Sequence, residues 1–271
     1  MNALYSIPAL SGLGKHSRET LSALLREGHG IITPSIAANI LGISSQKANK
    51  ILSNFYQNGW LHRVRNGVYI PIPIESATSD VVAESPWVIA DYIFSPCYIG
   101  GWSAAEHWGL TEQIFNSVVI CTPQKKHHKE EVISQTTFRI RTIPKDWLFG
   151  TKSVWINQVK IQVADPSRTI IDMLVFPCIG GGMRFIEEVF TQYCQSGHKD
   201  ITRLMDYAAR VGKGVLFKRL GFLLERVVPE EQESIRACRQ SISSGYSKLD
   251  PALPADTLVT RWRLWVPDSW K

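Results

Sequence analysis

Residues 33–71 read TPSIAANILGISSQKANKILSNFYQNGWLHRVRNGVYIP, and this stretch carries the strongest fold signal in the chain. Its opening Thr-Pro pair suits the N-cap and first position of a helix, because the N–H that proline lacks would have no partner there. Gly42 permits the tight turn that ends this helix. The next helix is predicted to begin at Ser44 or Ser45 and to end at Gln57, just before a glycine. Two short helices joined in this way predict a helix-turn-helix.

The second of these helices has two distinct faces at 100° per residue. Ala48, Ile51, Leu52 and Phe55 form its apolar stripe. The rest of its surface offers side chains that hydrogen-bond base edges or neutralise phosphates, and the candidate DNA contacts are Ser45, Gln46, Lys47, Asn49, Lys50 and Ser53. For the helices alone, an ordinary three-helix bundle with a solvated polar face is the alternative.

A predicted β-hairpin follows directly. Asn66-Gly67 separates two β-rich runs, and an Asn-Gly pair suits a tight turn in which both central residues have φ > 0. A hairpin after a recognition helix is a wing, and the candidate contacts at its tip are Arg63, Arg65 and Asn66. Helices, turn and basic hairpin together predict a winged helix-turn-helix that binds double-stranded DNA.

The positive charge of the chain is concentrated in this region. Residues 1–75 hold seven Lys or Arg and three acidic residues, a net of +4, whereas the other 196 residues hold 23 basic and 21 acidic ones. An excess of cations beside a helix-turn-helix favours a polyanionic partner.

The Pro- and Ser-containing stretch at 71–80 reads as a linker, so we expect a winged helix-turn-helix over 1–75, a linker over 76–85 and a larger domain over 86–271. The winged helix should open with a helix whose N-cap is Ser17. The larger domain mixes both element types, so the fold class is α+β (mixed α/β). Its predicted helices are Trp87–Phe94, Ser103–Trp108, Pro166–Val175, Met183–Gln195, Ile201–Arg210 and Leu216–Arg226. Its predicted strands are Ser117–Cys121, Thr137–Thr142, Ser153–Ile156, Lys160–Val163 and Arg261–Val266.

The short motifs that could suggest a catalytic site are better explained by structural roles. Ser103 and Glu106 fit a helix capping box, and Asp165-Pro166 fits an N-cap followed by proline. Arg168 and Asp172, four residues apart, fit a surface ion pair. The run at 125–129 (KKHHK) reads as a solvated basic loop, and the glycines at 180–182 read as a flexible turn. The acidic patterns of a nucleotidyltransferase and of one large nuclease class do not occur, so we expect no enzyme, no catalytic residue, no metal and no cofactor.

Five widely spaced cysteines without a Cys-x-x-Cys pair suit reduced, mostly buried thiols, and argue against a disulfide framework and a zinc site. The first 14 residues lack the pattern of a signal peptide, and no apolar run reaches the roughly 18 residues that span a bilayer. We therefore expect a cytoplasmic protein without a membrane partner.

The residues from Thr33 to Ile70 resemble the N-terminal domain of AbiEi-type proteins, the antitoxin regulators of abortive-infection (type IV) toxin–antitoxin systems. The likeness continues in the segments 98–110 (YIGGWSAAEHWGL) and 165–172 (DPSRTIID). The resemblance implies a repressor that autoregulates its operon and an antitoxin against a nucleotidyltransferase-like toxin in phage defence. It carries over no catalytic residue, and it leaves open whether antitoxin and toxin bind directly.

Three functions remain open at this stage. The first is the autoregulating antitoxin. The second is a winged-helix transcription factor whose C-terminal domain binds a small ligand or dimerises, without antitoxin activity. The third is a DNA-directed enzyme using Glu106, His107, Asp165 and Asp172. A homodimer or cooperative binding on DNA stays open, and so do the operator sequence and the topology of the C-terminal domain.

Overall fold

The computed structural model describes residues 14–72, 86–126, 128–156 and 158–270. The predicted linker 76–85 lies outside these ranges. The chain forms two compact units. The first comprises the described parts of Met1–Ile93 with Glu130–Phe138 and Val154–Ile161, and the second comprises those of Phe94–Lys129, Arg139–Ser153 and Gln162–Lys271. The described residues form ten α-helices and eleven strands, which confirms the mixed α/β fold class.

The N-terminal part folds as three helices and a β-hairpin. Its elements are α1 (Lys15–Glu27), α2 (Pro34–Leu41), α3 (Ser45–Gln57), β1 (Leu61–Arg65) and β2 (Val68–Pro71). The predicted cap of α1 was wrong. The helix already begins at Lys15 after Gly14, which has no side chain to offer a capping bond, so Ser17 lies within the first turn.

Local side-chain chemistry sets the helix-turn-helix as predicted. The Thr33 hydroxyl accepts a hydrogen bond from the Ile36 N–H at 3.2 Å, which caps α2. Gly42 ends α2 in the left-handed conformation at φ 63°, where a side chain would be strained. The Ser44 hydroxyl then accepts from the Lys47 N–H at 3.4 Å, so α3 starts at Ser45, three residues after the glycine.

The winged helix has its own small core. Leu24, Ala48 and Leu52 are fully buried, one from α1 and two from α3. Ile32 and Tyr69 exchange backbone hydrogen bonds of 2.8 and 2.9 Å, which ties the α1–α2 connection to the hairpin. Burial of each large apolar side chain contributes roughly 1.5–3 kcal/mol, and in a small domain such a core holds the polar face of α3 in place.

A six-stranded sheet follows further along the chain. The elements here are α4 (Pro86–Phe94), β3 (Tyr98–Ile99), α5 (Gly101–His107), β4 (Ser117–Thr122), β5 (Glu130–Ile133), β6 (Thr136–Thr142), β7 (Thr151–Ile156) and β8 (Val159–Ala164). The strand order is β5-β6-β4-β3-β8-β7, with β3 antiparallel to β4 and parallel to β8. The predicted strands at 117–121, 137–142, 153–156 and 160–163 are confirmed with shifts of one or two residues at their ends.

The remainder of the chain is mostly helical. Its elements are α6 (Pro166–Val175), α7 (Met183–Gln195), α8 (Ile201–Val211), α9 (Gly214–Val227), α10 (Gln232–Gln240), β9 (Ser247–Lys248), β10 (Thr257–Val259) and β11 (Leu264–Val266). All ten residues of α6 are buried, so it is a central helix of the second unit. The last three strands form a small sheet in the order β10-β11-β9.

Two predictions in this region were wrong. Residues 261–266 are not one strand, because Thr260–Trp262 forms a 3₁₀ turn and Arg263, at φ 51°, breaks the chain direction before β11. The polar helix α10 was not predicted, because only two of its nine residues, Ile235 and Cys238, are buried and its apolar periodicity is short. No helix in the described ranges combines the length and the apolar character needed to cross a bilayer.

Candidate nucleic-acid interface

The predicted recognition face lies on α3 and is open to solvent. Five of its six candidate residues are exposed, and only Ser53 is half-buried; the exposed ones are Ser45, Gln46, Lys47, Asn49 and Lys50. Behind them, Ala48, Leu52 and Phe55 are buried as predicted, while Ile51 is only partly covered. The polar side chains are therefore free to reach the edges of bases while the apolar stripe fixes the helix.

The exposed face is longer than predicted. Gln57 is exposed and lies eleven residues after Gln46, close to three full turns of an α-helix, so the two side chains point in nearly the same direction. The helical period alone could have found Gln57, which extends the row formed by Gln46, Lys50 and Ser53. The structure thus adds an amide side chain at the C-terminal end of the candidate interface.

The wing is a two-stranded antiparallel hairpin, but its turn differs from the prediction. Of the two central residues of the turn, Gly67 has a positive φ, at 72°, and Asn66 does not. Arg63 pairs with Tyr69 and Arg65 with Val68, so β1 carries one more residue than β2 between these pairs. This bulge supplies the twist that a turn with two positive φ angles would otherwise provide, and the expectation for Asn66 was therefore wrong.

The two wing arginines occupy different environments. Arg63 lies along β1 and not at the tip, and its guanidinium carbon is 4.8 Å from the centre of the Tyr56 ring on α3. Arg65 is exposed beside the turn, 5.8 Å from the centre of the Tyr92 ring on α4, and Asn66 is exposed as well. Arg63 therefore holds the wing against the recognition helix by a cation–π contact, and Arg65 is the wing cation that is free to meet a phosphate.

The charge of this module favours a polyanion. Residues 14–72 contain seven Lys or Arg and two Glu, a net of +5. Four of the seven, Lys47, Lys50, Arg63 and Arg65, belong to α3 or the wing. A helix, a hairpin and a local excess of cations on the same small fold form the arrangement with which winged helices contact a major groove and its flanking backbone.

Outside this module, the expected surface pair is instead a buried ion pair. Arg168 Nη2 and Asp172 Oδ1 are 3.0 Å apart, with the two side chains 0% and 1% exposed. The same guanidinium nitrogen donates to the Tyr98 hydroxyl at 2.8 Å, and this hydroxyl donates to Asp172 Oδ1 at 3.2 Å. The prediction failed because α6 is covered on all sides, so charged residues four apart on it have no solvent-facing side.

Burial dominates the electrostatics of this cluster. It raises the pKa of the Asp172 carboxyl, and the Arg168 guanidinium opposes the shift only in part. Burial by itself would lower the pKa of Arg168, but Asp172 and Tyr98 outweigh it and leave a raised value. The cluster joins the segments 98–110 and 165–172, the two that carry the AbiEi resemblance in this part of the chain. Tyr98, Arg168 and Asp172 thus bind the two segments to each other inside the core.

The other constellations also have structural roles. Ser103 is not in a capping box, because α5 begins at Gly101 and the Ser103 hydroxyl instead accepts from the Val119 N–H at 3.0 Å. Asp165 caps α6 as predicted, accepting from the Arg168 N–H at 2.8 Å, and its second oxygen accepts from the Tyr207 hydroxyl. Glu106 and His107 are exposed, whereas Asp165 and Asp172 are buried and hold such contacts, so the four residues lie in different environments.

The glycines at 180–182 are tightly packed. A Cβ on Gly180 would lie 2.7 Å from Ile186, and Gly181 and Gly182 have φ of 74° and 87°. The predicted turn is present, and the close packing at Gly180 leaves no room for a side chain there. In the basic loop 125–129, Lys126 Nζ lies 5.0 Å from the centre of the Phe94 ring, and residue 127 is outside the described ranges.

Among the described residues, no three His, Cys, Asp or Glu side chains are placed to hold a metal ion.

Comparisons with known proteins show a shared fold. No protein-family model matches the chain, and no functionally curated protein matches it. Among solved structures, the chain is similar to the crystal structure of the RV2827C protein from Mycobacterium tuberculosis, with a TM-score of 0.68 and 14% sequence identity. The match covers 96% of this chain and 94% of that chain. At this identity the likeness concerns the fold alone.

Proposed function

We propose that this chain is a DNA-binding transcriptional repressor that acts in the cytoplasm on its own promoter. The observation that carries the proposal is the exposed row of amide and lysine side chains on α3, backed by a buried stripe and flanked by a basic wing. Gln46 and Asn49 match the amide groups that read adenine, and Lys50 can reach guanine or a phosphate. Arg65 and Lys47 neutralise the backbone on either side.

The second part of the proposal is that the chain also acts as an antitoxin against a nucleotidyltransferase-like toxin encoded beside it. The resemblance of residues 33–70, 98–110 and 165–172 to AbiEi-type proteins supports this role. The buried cluster of Tyr98, Arg168 and Asp172 gives a physical reason why the segments 98–110 and 165–172 occur together. Tyr98 in the first segment forms hydrogen bonds with Arg168 and Asp172 in the second.

Binding to the DNA upstream of its own gene should fall steeply with salt. Three cations, Lys47, Lys50 and Arg65, would release counterions at about 0.9 per phosphate, giving a log–log slope of roughly −2 to −3. Electrophoretic mobility shifts of the full chain over a salt series measure this slope. Lys47→Gln should reduce its magnitude by about 1, and the exposed Lys145→Gln, in the second unit, should leave it unchanged. Binding that does not respond to salt would contradict the proposed interface.

Substitutions on α3 and on the wing should differ in kind. Gln46→Ala or Asn49→Ala should weaken the promoter site by about 1–3 kcal/mol while leaving a scrambled duplex almost unaffected, because the amides read base edges. Arg65→Ala should weaken binding to both duplexes alike, because the Arg65 side chain responds to the phosphate charge and to the width of the groove, and not to individual bases. Competition titrations with the two duplexes measure the difference, with the exposed Gln240→Ala of α10 as control. If Arg65→Ala changed base preference and Gln46→Ala did not, the recognition element would be misassigned.

The antitoxin role should survive loss of DNA binding. The full chain carrying Gln46→Ala, Lys50→Ala and Arg65→Ala should no longer repress its promoter, yet it should rescue growth of cells that express the neighbouring toxin from an unrelated promoter. Growth curves and a promoter–reporter fusion measure the two activities in parallel. Rescue that disappears together with repression would refute a toxin-countering role separate from DNA binding.

A further inference from the structure

A large cavity lies within the second unit. Its volume is about 910 Å³, and it is bounded by the end of α6, the start of α7, α9 and the segments 250–256 and 267–269. Pockets that hold small organic molecules usually measure roughly 300–1,000 Å³. Most of its wall is apolar, with lining residues that include Val175, Phe176, Pro177, Met183, Leu253 and Pro254. Such a wall favours a ligand with an apolar body.

Two buried charged side chains line this cavity, Arg219 and Asp250, each 4% exposed. The carboxylate of Asp250 is satisfied by the protein. Its Oδ2 accepts from the Met183 N–H at 2.9 Å, and its Oδ1 accepts from the Ala252 N–H at 2.9 Å. The first of these bonds caps α7, so Asp250 serves the fold at the cavity wall and has both oxygens engaged.

The guanidinium of Arg219, in contrast, keeps unused donors. It donates to the carbonyl oxygens of Leu249, Leu174 and Lys248 at 2.9, 2.8 and 3.1 Å. These bonds use three of its five N–H groups, and the remaining two have no acceptor in the described part of the chain. Burial lowers the pKa of Arg219 to about 10, because Asp250 offsets the loss of hydration only in part. The cavity therefore contains a buried cation that neutral carbonyls hold in place and whose charge the neighbouring Asp250 carboxylate balances only in part.

We propose that this cavity binds a small organic carboxylate with an apolar body, its carboxylate paired with Arg219 and its body against the apolar wall. The planar guanidinium fork matches a carboxylate, which can take up two parallel N–H groups. The other charged lining residues, Arg184, Asp256 and Asp268, are exposed, so water and salt screen them from the interior. The site lies in the second unit, and the proposal does not depend on DNA binding by the first.

Isothermal titration of the full chain with phenylacetate, and with its neutral analogue phenylacetamide, tests the site. We expect phenylacetate to bind at least tenfold more tightly than the amide, because the amide carries no charge to pair with the part of the Arg219 charge that Asp250 leaves uncompensated. Hexanoate should also bind more tightly than hexanamide, because the apolar wall accepts an aliphatic chain as well as an aromatic ring and the carboxylate again pairs with Arg219. Equal binding of acid and amide, or no binding of either carboxylate at millimolar concentration, would overturn the proposal.

A pair of tryptophan substitutions locates the binding. Ala252 is exposed and lines the cavity, so Ala252→Trp should obstruct it and weaken phenylacetate binding at least tenfold without disturbing the core. Ala209, exposed on α8 and outside the cavity lining, is the matched control, and Ala209→Trp should bind like the unaltered chain. Arg219→Lys keeps the charge but removes the fork and should weaken binding as well, with circular dichroism to verify folding. Unchanged affinity of a folded Ala252→Trp protein would place the ligand elsewhere and refute the proposed site.

Discussion

Asp172→Ala should lower the free energy of unfolding by about 3–5 kcal/mol, since it leaves the guanidinium of Arg168 buried without its counter-charge. Arg168 is 0% exposed and meets Asp172 at 3.0 Å, and in the described residues its Nε and Nη1 atoms have no hydrogen-bond partner that could compensate. The remaining bond to the Tyr98 hydroxyl is neutral and cannot replace the carboxylate. Urea unfolding followed by tryptophan fluorescence measures the loss.

The control for this prediction is an exposed pair. Arg226 Nε and Glu187 Oε1 are 2.9 Å apart, with both side chains at least a quarter exposed, so Glu187→Ala should cost less than about 1 kcal/mol. The double variant Arg168→Met, Asp172→Leu should recover most of the stability, because apolar residues of similar size fill the space without a desolvated charge. An Asp172→Ala protein as stable as the Glu187→Ala protein would show that the buried pair does not hold α6 in the core.

Gly221→Ala should destabilise the chain by at least about 3 kcal/mol, at or above the upper end of the usual cost of overpacking a core. Gly221 lies inside α9, and a Cβ there would be 2.1 Å from the Trp262 ring. Trp262 is completely buried and its Nε1 donates to Glu225 Oε2 at 2.8 Å, so the ring has no free direction in which to move. Thermal unfolding by circular dichroism measures the change.

The sign of this effect is what makes it informative. At an open helical position, replacing glycine by alanine stabilises a helix by about 1 kcal/mol. Gly197→Ala, in the turn after α7, is the control for an open position, because nothing lies within 4 Å of a Cβ there, and it should change stability by no more than about 0.5 kcal/mol. Adding Trp262→Leu to Gly221→Ala should recover part of the loss by freeing the space that the new methyl group needs. A more stable Gly221→Ala protein would rule out the close approach of α9 to the ring.

The elements that were predicted well are those whose signals are local. Helices α6 and α7 have the predicted bounds, Thr33 and Asp165 are N-caps as expected, and α3 starts at Ser45, one of its two predicted first residues. A cap depends on a side chain and an N–H two or three residues away, so its signal is local. The polar and apolar faces of α3 follow from helical periodicity in the same way. These signals were enough to place the candidate DNA-contact residues on the open surface of a helix-turn-helix.

Three of the errors share a different cause, which is contact between residues on different helices or strands. Ser103 was assigned to a cap, but it bonds to β4 because α5 starts earlier than its capping pattern suggested. The turn of the wing takes its form from a bulge in β1, and Arg63 is drawn to the Tyr56 ring on α3. In each case the competing partner lies on another element, and no local rule could name it.

The amino-acid pattern thus sufficed for the exposed candidate contacts of the helix-turn-helix and its hairpin. Caps, periodicity and charge are short-range properties, and they place Gln46, Asn49, Lys50 and Arg65 on an exposed surface. The interior of the second unit needed the folded chain. Whether Arg168 and Asp172 lie in water or in the core, whether Gly221 weakens α9 or admits Trp262, and whether Arg219 keeps spare donors beside a cavity all depend on which distant segments pack there. Burial sets the energy of these groups, because a charge, a glycine and a hydrogen-bond donor each change their contribution when water is removed.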